Sequence, residues 1–279
     1  MKRRLLRYIF IFSIIFLLSG VQIIHAENEI KLSPDMESII SRDKLIVGIY
    51  SQERPPFFME NEQGELYGLD IELAEGIADE LNVDLEINRT SESYQELFEM
   101  VAEKKVDLVI SKFSKTFSRA EAIKYSHPYV TFRWSVMLSS AYATQKGITE
   151  YPMHHLRVAD GIKVGVMAGT SWENFAAQLF KNAKIVGFEK WSDVITALSK
   201  KEITAALYDE NEVIKSLYRD PDITLFASAY ILKDKKDFIA IGVPAESSQL
   251  LSWLNYYLEN YDLNYSVTDI MEKFPEIYR

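Results

Sequence analysis

The sequence predicts an α/β protein of two lobes with a cleft between them, and three observations support this fold class. From residue 44 onward, short apolar β-rich runs alternate with segments whose apolar residues recur at helical spacing. The same alternation begins a second time near residue 162. Between these two blocks, 129–140 has an extended pattern and 141–159 is polar and rich in turn residues, which is typical of a connection between lobes.

The first block begins with the apolar run at 45–49, the kind of run expected of a buried strand. Two prolines and a polar cluster at 60–64 then indicate loops. In 69–81 the apolar residues Ile71, Leu73, Ala74, Ile77, Ala78 and Leu81 share one helical face. The predicted order is strand 45–49, helix 69–81, strand 83–87, helix 94–104 and strand 106–110.

The second block repeats this order and ends with a further strand and helix. In sheets of this kind, ligands bind beyond the carboxyl ends of the strands, where loops enter helices. The predicted elements are strand 162–166, helix 172–180, strand 183–187, helix 191–198, strand 205–208, helix 210–218, strand 238–243 and helix 247–258.

Composition and charge narrow the function classes. Hydrophobic residues make up 48% of the 279 residues, which is ample for a packed core. The formal net charge is −10, and without the four cations of the first 26 residues the balance is 27 − 41 = −14. A surface this acidic repels phosphate backbones, so we expect no binding to nucleic acid.

The N-terminus resembles an export signal. A basic stretch at 1–7 precedes an apolar run at 8–18, and Ile24-His25-Ala26 matches the small-residue pattern of a signal-peptide cleavage site. The sequence therefore predicts a signal peptide at 1–26, cleaved after Ala26, and a polar leader at 27–42. An uncleaved membrane anchor remains the alternative. The chain has no cysteine, which excludes disulfides, thiolate metal sites and a lipid-modified N-terminus, so a free periplasmic protein is expected.

Several predicted helices begin with the sequence motif of a capping box. A serine, threonine or aspartate is followed three residues later by glutamate, and such side chains accept unpaired amides of the first helical turn. The same helix ends are able to attract an anion. The four pairs are Ser93 with Glu96, Ser118 with Glu121, Thr170 with Glu173, and Asp209 with Glu212.

At this point the sequence resembles a known family. Asp-Lys-Leu-Ile-Val-Gly at 43–48, Pro-Phe-Phe at 56–58 and Gly-Leu-Asp-Ile-Glu-Leu-Ala at 68–74 look like the opening of the amino-acid-type periplasmic solute-binding proteins, family 3. Residues 105–110, with 116–119 and 125–129, resemble the most specific signature of that family. Residues 164–171 and 206–209 resemble its second lobe. The segment 264–267 departs from the usual Gly-Thr-Tyr ending.

The resemblance implies a type II periplasmic-binding-protein (venus-flytrap) fold with two hinge crossovers, near 136–140 and 236–241. It divides the chain into lobe I at 43–137, lobe II at 138–238, and a return to lobe I with a C-terminal tail at 239–279. It also implies a monomer without a cofactor or a metal, which captures a small carboxylate-bearing solute. The implied ligand is an amino acid, and the implied partner is the membrane permease of an ABC importer.

Six residues take their expected roles from the resemblance. Arg119 would hold the ligand carboxylate, since a guanidinium offers two matched donors, and otherwise it is a surface residue of a helix. Asp209 would receive the ligand ammonium, or serve only as a helix N-cap. Ser114 would assist the carboxylate. Thr170 and Ser171 would donate from the other lobe, and Tyr94 would form an aromatic wall, with capping and core packing as their alternatives.

Two residues depart from the family pattern. Arg54 stands where relatives often carry an aromatic residue, and Lys112 stands where a small residue is common. If both face the cleft, three cations with Arg119 would favour an acidic ligand or a dicarboxylate. Alternatively, Arg54 points to solvent or stacks on Tyr94, and only the backbone of Lys112 matters.

Two other function classes stay open. A few relatives dehydrate small carboxylic acids of the prephenate type, and this enzyme reading needs an acid or base over the ligand. Glu53, Glu173 and Glu210 are its candidates, and no motif selects one of them. The third class is a sensor whose closed form signals to a membrane receptor. Trp172 is expected in the core or, as an alternative, at the cleft.

Overall fold

The computed structural model describes residues 31–150 and 152–279. The predicted signal peptide at 1–26 and its cleavage site lie outside the described residues. Within the described part of the chain, no helix is long and apolar enough to cross a membrane.

The first block confirms the predicted alternation and adds a short hairpin and a short helix. Helix 69–81 has the predicted bounds, whereas the helix predicted at 94–104 ends two residues earlier. The elements are α1 Pro34–Ser41, β1 Lys44–Gly48, β2 Met59–Glu60, β3 Leu66–Tyr67, α2 Leu69–Leu81, β4 Asp84–Asn88, α3 Tyr94–Ala102, β5 Leu108–Val109 and α4 Phe117–Ala120.

The second block also follows the prediction, except that the segment expected to be turn-rich contains two short helices. Its elements are β6 Ile123–Ser139, α5 Ser140–Gln145, α6 Pro152–Val158, β7 Lys163–Met167, α7 Ser171–Leu179, β8 Lys184–Phe188, α8 Trp191–Ser199, β9 Ala205–Asp209, α9 Glu210–Arg219, a 3-10 turn Pro221–Leu225, β10 Ala227–Pro244, α10 Ser248–Asn260, α11 Val267–Lys273 and a 3-10 turn Pro275–Tyr278.

Eight strands form one continuous sheet in the order β4-β1-β5-β10-β6-β9-β7-β8. Strands β1, β4 and β5 are parallel at one end, and β7, β8 and β9 are parallel at the other. The two central strands are long and antiparallel, and they run through both ends. Because the parallel strands of each end point their carboxyl ends toward the middle of the molecule, the loops that follow them meet there.

The apolar residues form two separate cores, which define the two lobes used below. The first core takes its members from Met36 to Phe132 and again from Ile239 to Tyr278, and the second takes them from Trp134 to Leu232. Strand β6 therefore passes from one lobe to the other at Arg133. This crossing lies a few residues before the predicted 136–140, because one strand of 17 residues spans both lobes before the first turn.

The second crossing lies in β10. Its pairing with β6 shifts register between Leu232 and Lys236, which leaves an irregular segment between the lobes. The sequence predicts only the apolar part of this strand, at 238–243, because the residues before it are charged and lack an apolar strand pattern. The 3-residue irregularity and the crossing at Arg133 lie side by side, as expected of a paired connection between two lobes.

Candidate ligand-binding site

A pocket lies between the two lobes, where loops after β5, β7 and β9 meet. Its empty space is about 330 Å³, including the part open to solvent. Six of the eight predicted ligand-binding residues line it, whereas Arg54 and Asp209 do not. The lining residues are Tyr94, Lys112, Ser114, Arg119, Thr170, Ser171, Trp172, Tyr208 and Asp237.

Arg119 belongs to the short helix α4, which Thr116 caps by accepting the Arg119 N–H. Thr116 takes the capping role that the sequence assigned to Ser118, because the helix begins at Phe117. The guanidinium carbon lies 4.3 Å from the ring centre of Phe113, and Nη1 donates to the Ser114 carbonyl at 3.4 Å. Burial lowers the pKa of Arg119. Among the described residues, no carboxylate makes an ion pair with it.

Asp237, like Tyr208, is a pocket residue that the sequence did not predict. It lies in β10 and is 1% exposed. Its Oδ2 accepts a hydrogen bond from Ser114 Oγ at 3.0 Å, and its Oδ1 has no hydrogen-bond partner in the described part of the chain. Burial, with the nearby charge of Asp209, raises the pKa of Asp237 to about 7, and the Ser114 hydroxyl and the charges of Lys112 and Arg119 oppose this rise. The signal that could have found it is alternation, since Asp237 shares a strand face with buried Ile239.

Lys112 follows β5 in a left-handed conformation, with φ of 46°. This conformation is costly for a residue with a side chain. It is fixed by Asp70, whose Oδ2 accepts the Lys112 N–H at 2.6 Å. The ammonium lies over three aromatic rings, at 5.2 Å from Phe57, 5.8 Å from Phe132 and 5.1 Å from Tyr208. The Lys112 side chain therefore lies in the cleft, and whether the side chain or only the backbone serves the ligand stays a prediction.

The Lys112 ammonium crosses the cleft to the second lobe. Its Nζ lies 2.9 Å from Asp209 Oδ2 and 3.6 Å from Glu212 Oε1. The contact with Asp209 is an ion pair rather than an aligned hydrogen bond, since neither atom has a partner at hydrogen-bond angles. Lys215 Nζ contacts Glu212 at 2.5 Å and donates to the Pro55 carbonyl of the first lobe at 3.0 Å. We call Lys112, Asp209, Glu212 and Lys215 the Lys112 network.

The Lys112 network is buried and its formal charges balance, with two ammonium groups and two carboxylates. Burial lowers the pKa of Lys112, but Asp209, Tyr208 and Glu212 together raise it more, so that the pKa stands well above its usual value. Burial raises the pKa of Glu212, but Lys215, Lys112 and Arg54 together lower it more, so that the pKa lies below its usual value. Burial also raises the pKa of Asp209, a rise that Lys112 opposes. With its pKa raised in this way, Lys112 keeps its proton.

Asp209 also caps helix α9. Its Oδ1 accepts the Glu212 N–H at 2.9 Å, as the capping-box spelling predicts. With Oδ2 on Lys112, both carboxylate oxygens are engaged, and the residue is fully buried behind the pocket wall. The N-cap role is confirmed, and the ammonium role stays a prediction.

The second lobe presents the N-terminus of α7 to the pocket. Thr170 Oγ1 accepts the Trp172 N–H at 3.3 Å and donates to the Met167 carbonyl at 2.8 Å, so the turn uses its only hydroxyl proton. Ser171 is buried at the pocket wall. Trp172 stacks on Tyr208 at 5.2 Å and lines the pocket. This lobe therefore offers a helix end and an aromatic floor.

Tyr94 and Arg54 end up in different places. Tyr94 lines the pocket and stacks on Tyr50 at 4.9 Å, as an aromatic wall would. The Arg54 guanidinium lies over Tyr50 at 4.9 Å instead of over Tyr94, and Nη1 donates to the Glu53 carbonyl at 2.8 Å. Three free cations therefore do not meet in the pocket: Arg54 lies outside its lining and Lys112 is paired.

The three glutamates named for the enzyme reading serve local structure. Glu53 accepts the Glu60 N–H at 2.7 Å, and Glu173 accepts the Gly169 N–H at 3.3 Å. Glu210 accepts the Arg133 N–H at 2.8 Å beside the first crossing. None of the three lines the pocket, and Asp237 is the carboxyl group that does.

Comparison with known proteins agrees with this geometry. The profile of the bacterial extracellular solute-binding proteins, family 3, matches residues 45–276. The chain belongs to this family. As a family 3 solute-binding protein it has the type II periplasmic-binding-protein fold, and the amino-acid ABC transporter substrate-binding protein AbpA from Streptococcus pneumoniae, bound to L-arginine, is a structural neighbour. The TM-score is 0.67 at 25% identity, over 87% of this chain and 99% of that one.

Two curated relatives show how widely this family 3 domain is used. The histidine-binding periplasmic protein of Salmonella typhimurium is 25% identical over 208 residues, which is 72% of this chain and 75% of that protein. The membrane-bound lytic murein transglycosylase F of Pseudomonas putida is 22% identical over 235 residues, which is 82% of this chain but only 46% of the relative. The chain thus spans less than half of the transglycosylase.

Proposed function

We propose that this family 3 protein is a periplasmic solute-binding protein that closes its two lobes around an amino acid and delivers it to the permease of an ABC importer. The observation that carries the proposal is the Arg119 guanidinium, which lines the cleft between the lobes without an acidic partner among the described residues. A half-buried guanidinium without a carboxylate is a receptor for one, because its planar donors match the two oxygens.

The surroundings of Arg119 support a carboxylate ligand. The opposite wall is the N-terminus of α7, where the helix dipole favours negative charge. A ligand that contacts both Arg119 and this helix end touches both lobes, so its binding free energy favours the closed form. The composite surface of the closed form is what the permease would recognise.

The comparisons and the N-terminus support the remaining parts of the proposal. One relative is called a histidine-binding periplasmic protein, and one neighbour is described as bound to L-arginine, which favours an amino acid as the ligand here. The basic and apolar pattern of residues 1–26 favours export, with the mature protein beginning at residue 27. The expected state is a monomer.

One observation favours a second candidate, an enzyme of the prephenate-dehydratase type. Asp237 lines the pocket, and burial raises its pKa to about 7, which suits a general acid or base at neutral pH. Incubation of the protein with prephenate, followed by detection of the aromatic product, tests this reading. Product that disappears in Asp237→Asn would support the enzyme, and no product would leave the binding function.

The test of the main proposal is a thermal-shift screen of residues 27–279 against the twenty L-amino acids and common dicarboxylates. A ligand that binds only the folded state raises the unfolding midpoint by mass action. We expect a rise with an amino acid in the wild type and none in Arg119→Ala. The matched control is Arg157→Ala, an exposed arginine of the second lobe that pairs with Asp234, and it should keep the rise.

Absence of a rise with every amino acid would contradict the amino-acid specificity. A rise that persists in Arg119→Ala would contradict the assignment of the carboxylate receptor. A rise with dicarboxylates alone would support the acidic-ligand alternative that the sequence suggested.

A further inference from the structure

An amino acid brings an ammonium group as well as a carboxylate, and the pocket has to receive both. Two buried aspartates, Asp209 and Asp237, are available for this positive charge near the cleft. They differ in what already surrounds them, and this difference decides between them. The following inference rests on the proposed function.

Asp209 already carries an ammonium group of the protein itself. Lys112 Nζ lies 2.9 Å from its Oδ2, and the Glu212 N–H occupies its Oδ1 at 2.9 Å. The Lys112 side chain is only 5% exposed, and three aromatic rings surround its charge. A ligand ammonium would have to displace a buried cation from both the acid and the rings, which is unfavourable because the displaced cation would stay desolvated.

Asp237 has the opposite surroundings. It lines the pocket, and its Oδ1 has no hydrogen-bond partner among the residues that the structure describes. A buried polar oxygen without a partner is costly, so a donor that enters the pocket gains by pairing with it. No described lysine or arginine makes an ion pair with Asp237, and Ser114 is its hydrogen-bond donor on the other oxygen.

Asp237 also lies where the second group of an amino acid has to be received. Ser114 contacts both groups: its carbonyl accepts from Arg119 Nη1 at 3.4 Å, and its Oγ donates to Asp237 Oδ2 at 3.0 Å. The α-carboxylate and α-ammonium of an amino acid are attached to one carbon atom, so their two receptors have to lie close together. Asp209 does not line the pocket.

The distribution of charge in the site also favours Asp237 as the receptor of the ammonium group. The Lys112 network is neutral within itself, and Arg54 lies outside the pocket lining. Apart from Lys112, whose charge is paired with Asp209, the pocket is lined by one cation, Arg119, and one acid, Asp237, which together complement a zwitterion. We infer that Asp237, rather than Asp209, receives the ammonium group of the bound amino acid, while Lys112 permanently occupies Asp209.

The test measures the preference for the amino group. Calorimetry gives the affinity of residues 27–279 for the amino acid with the largest thermal shift, and for the carboxylic acid of the same skeleton without the amino group. The ratio of the two affinities is compared among the wild type, Asp237→Asn and Asp209→Asn. Glu210→Gln is the matched control, because it is a buried acid outside the pocket with the same type of substitution.

We expect Asp237→Asn to lower this ratio by about 30-fold or more, because a desolvated charge pair is lost. The ratio should stay within about threefold of the wild type in Asp209→Asn and Glu210→Gln. A ratio that collapses in Asp209→Asn and survives in Asp237→Asn would overturn the inference but leave the proposed function standing. Failure of the wild type to bind any amino acid would overturn both.

A second measurement needs no variant. If an ammonium binds beside Asp237, the carboxyl group is driven to its charged form, so complex formation near pH 7 releases protons. Calorimetry at pH 7 in two buffers of different ionisation enthalpy detects this release. We expect a net release of protons, and net uptake would overturn the inference.

Discussion

Buried charged groups are paired with one another at one end of the cleft and lack such partners at the other. At one end, the Lys112 network joins the lobes with two ammonium groups and two carboxylates in mutual contact. At the other end, Arg119, Ser114 and Asp237 form what we call the Arg119 group, whose cation has no acidic partner among the described residues and whose acid has an unpaired oxygen. The first end is complete without a ligand, and the second is not.

This difference indicates that the two groups of charged residues have separate roles in the site. Balanced and buried charges across a cleft hold the lobes in register, and they leave nothing for a solute to bind. Charged groups that have no partner in the protein form their ion pairs with the ligand instead. Lys112, whose backbone is left-handed, thus contributes to joining the two lobes, and the Arg119 group is left to bind the ligand. The four predictions below test this separation, from the largest expected effect to the smallest.

Replacement of Lys112 should produce the largest loss of stability. Lys112→Met leaves Asp209 buried without a counterion, which should lower the free energy of unfolding by about 3–5 kcal/mol. Urea unfolding of the ligand-free protein measures this loss. The double variant Lys112→Met with Asp209→Asn should recover most of it, because no isolated charge remains. A loss below about 1 kcal/mol would show that the network does not hold the lobes.

Replacement of Arg119 should have the reverse profile. Arg119→Ala should weaken binding of the amino acid by about 100-fold, because a desolvated charge contact is removed. Its free energy of unfolding without ligand should change by less than about 1 kcal/mol, since no ion pair of the described residues is broken. Calorimetric titration and urea unfolding of the same sample measure both quantities. Equal losses of stability in Arg119→Ala and Lys112→Met would remove the contrast between the two ends.

The ligand-free protein should lose stability as the pH rises toward neutrality. Burial raises the pKa of Asp237 to about 7 from an unfolded value near 3.8, so between these values the folded state binds the proton and the unfolded state does not. Stability from this group is therefore full below pH 3.8 and is lost as the pH rises through 7. Asp237→Asn should gain about 2 kcal/mol relative to the wild type between pH 5 and pH 8.

Unfolding midpoints at a series of pH values measure this relative gain. Asp70, whose pKa burial also raises to about 7, contributes the same slope to both proteins and cancels in the difference. A constant difference between the two proteins across this range would mean that Asp237 is charged and paired before the ligand arrives.

The smallest effect is expected at Glu173. Its carboxylate accepts only the Gly169 N–H beside α7 and does not line the pocket. Glu173→Gln should therefore change the affinity for the amino acid by less than about threefold. A larger loss of affinity in calorimetric titration would indicate that Glu173 contributes to the site, and it would again be a candidate for the catalytic acid or base.

Local patterns predicted most of the fold because they reflect local physics. The helix at 69–81 and the alternation around it follow from apolar spacing, and the capping residues at 93, 170 and 209 follow from side chains that accept helix amides. The first half of β10 was missed because its residues 228–231 are mostly solvent-exposed and its residues 233–237 are charged, so neither stretch has the apolar pattern of a buried strand. Long-range pairing with β6, which sequence spacing does not encode, makes this segment a strand.

The site was predicted only in part, for a related reason. Arg119, Ser114 and the helix end at 170–171 belong to recognisable motifs, and the structure brings them to one pocket. The contact between Lys112 and Asp209 joins residues of different lobes, 97 positions apart, and no local pattern predicts such a pair. Asp237 is hidden in a charged run, where four of the five residues face away from the interior.

The most direct test of this division is a crystal structure of residues 27–279 with the amino acid that gives the largest thermal shift. We predict that the ligand carboxylate contacts the Arg119 guanidinium, that its ammonium donates to Asp237 Oδ1, and that Lys112 remains on Asp209. A ligand ammonium on Asp209, with Lys112 displaced from the cleft, would contradict the account.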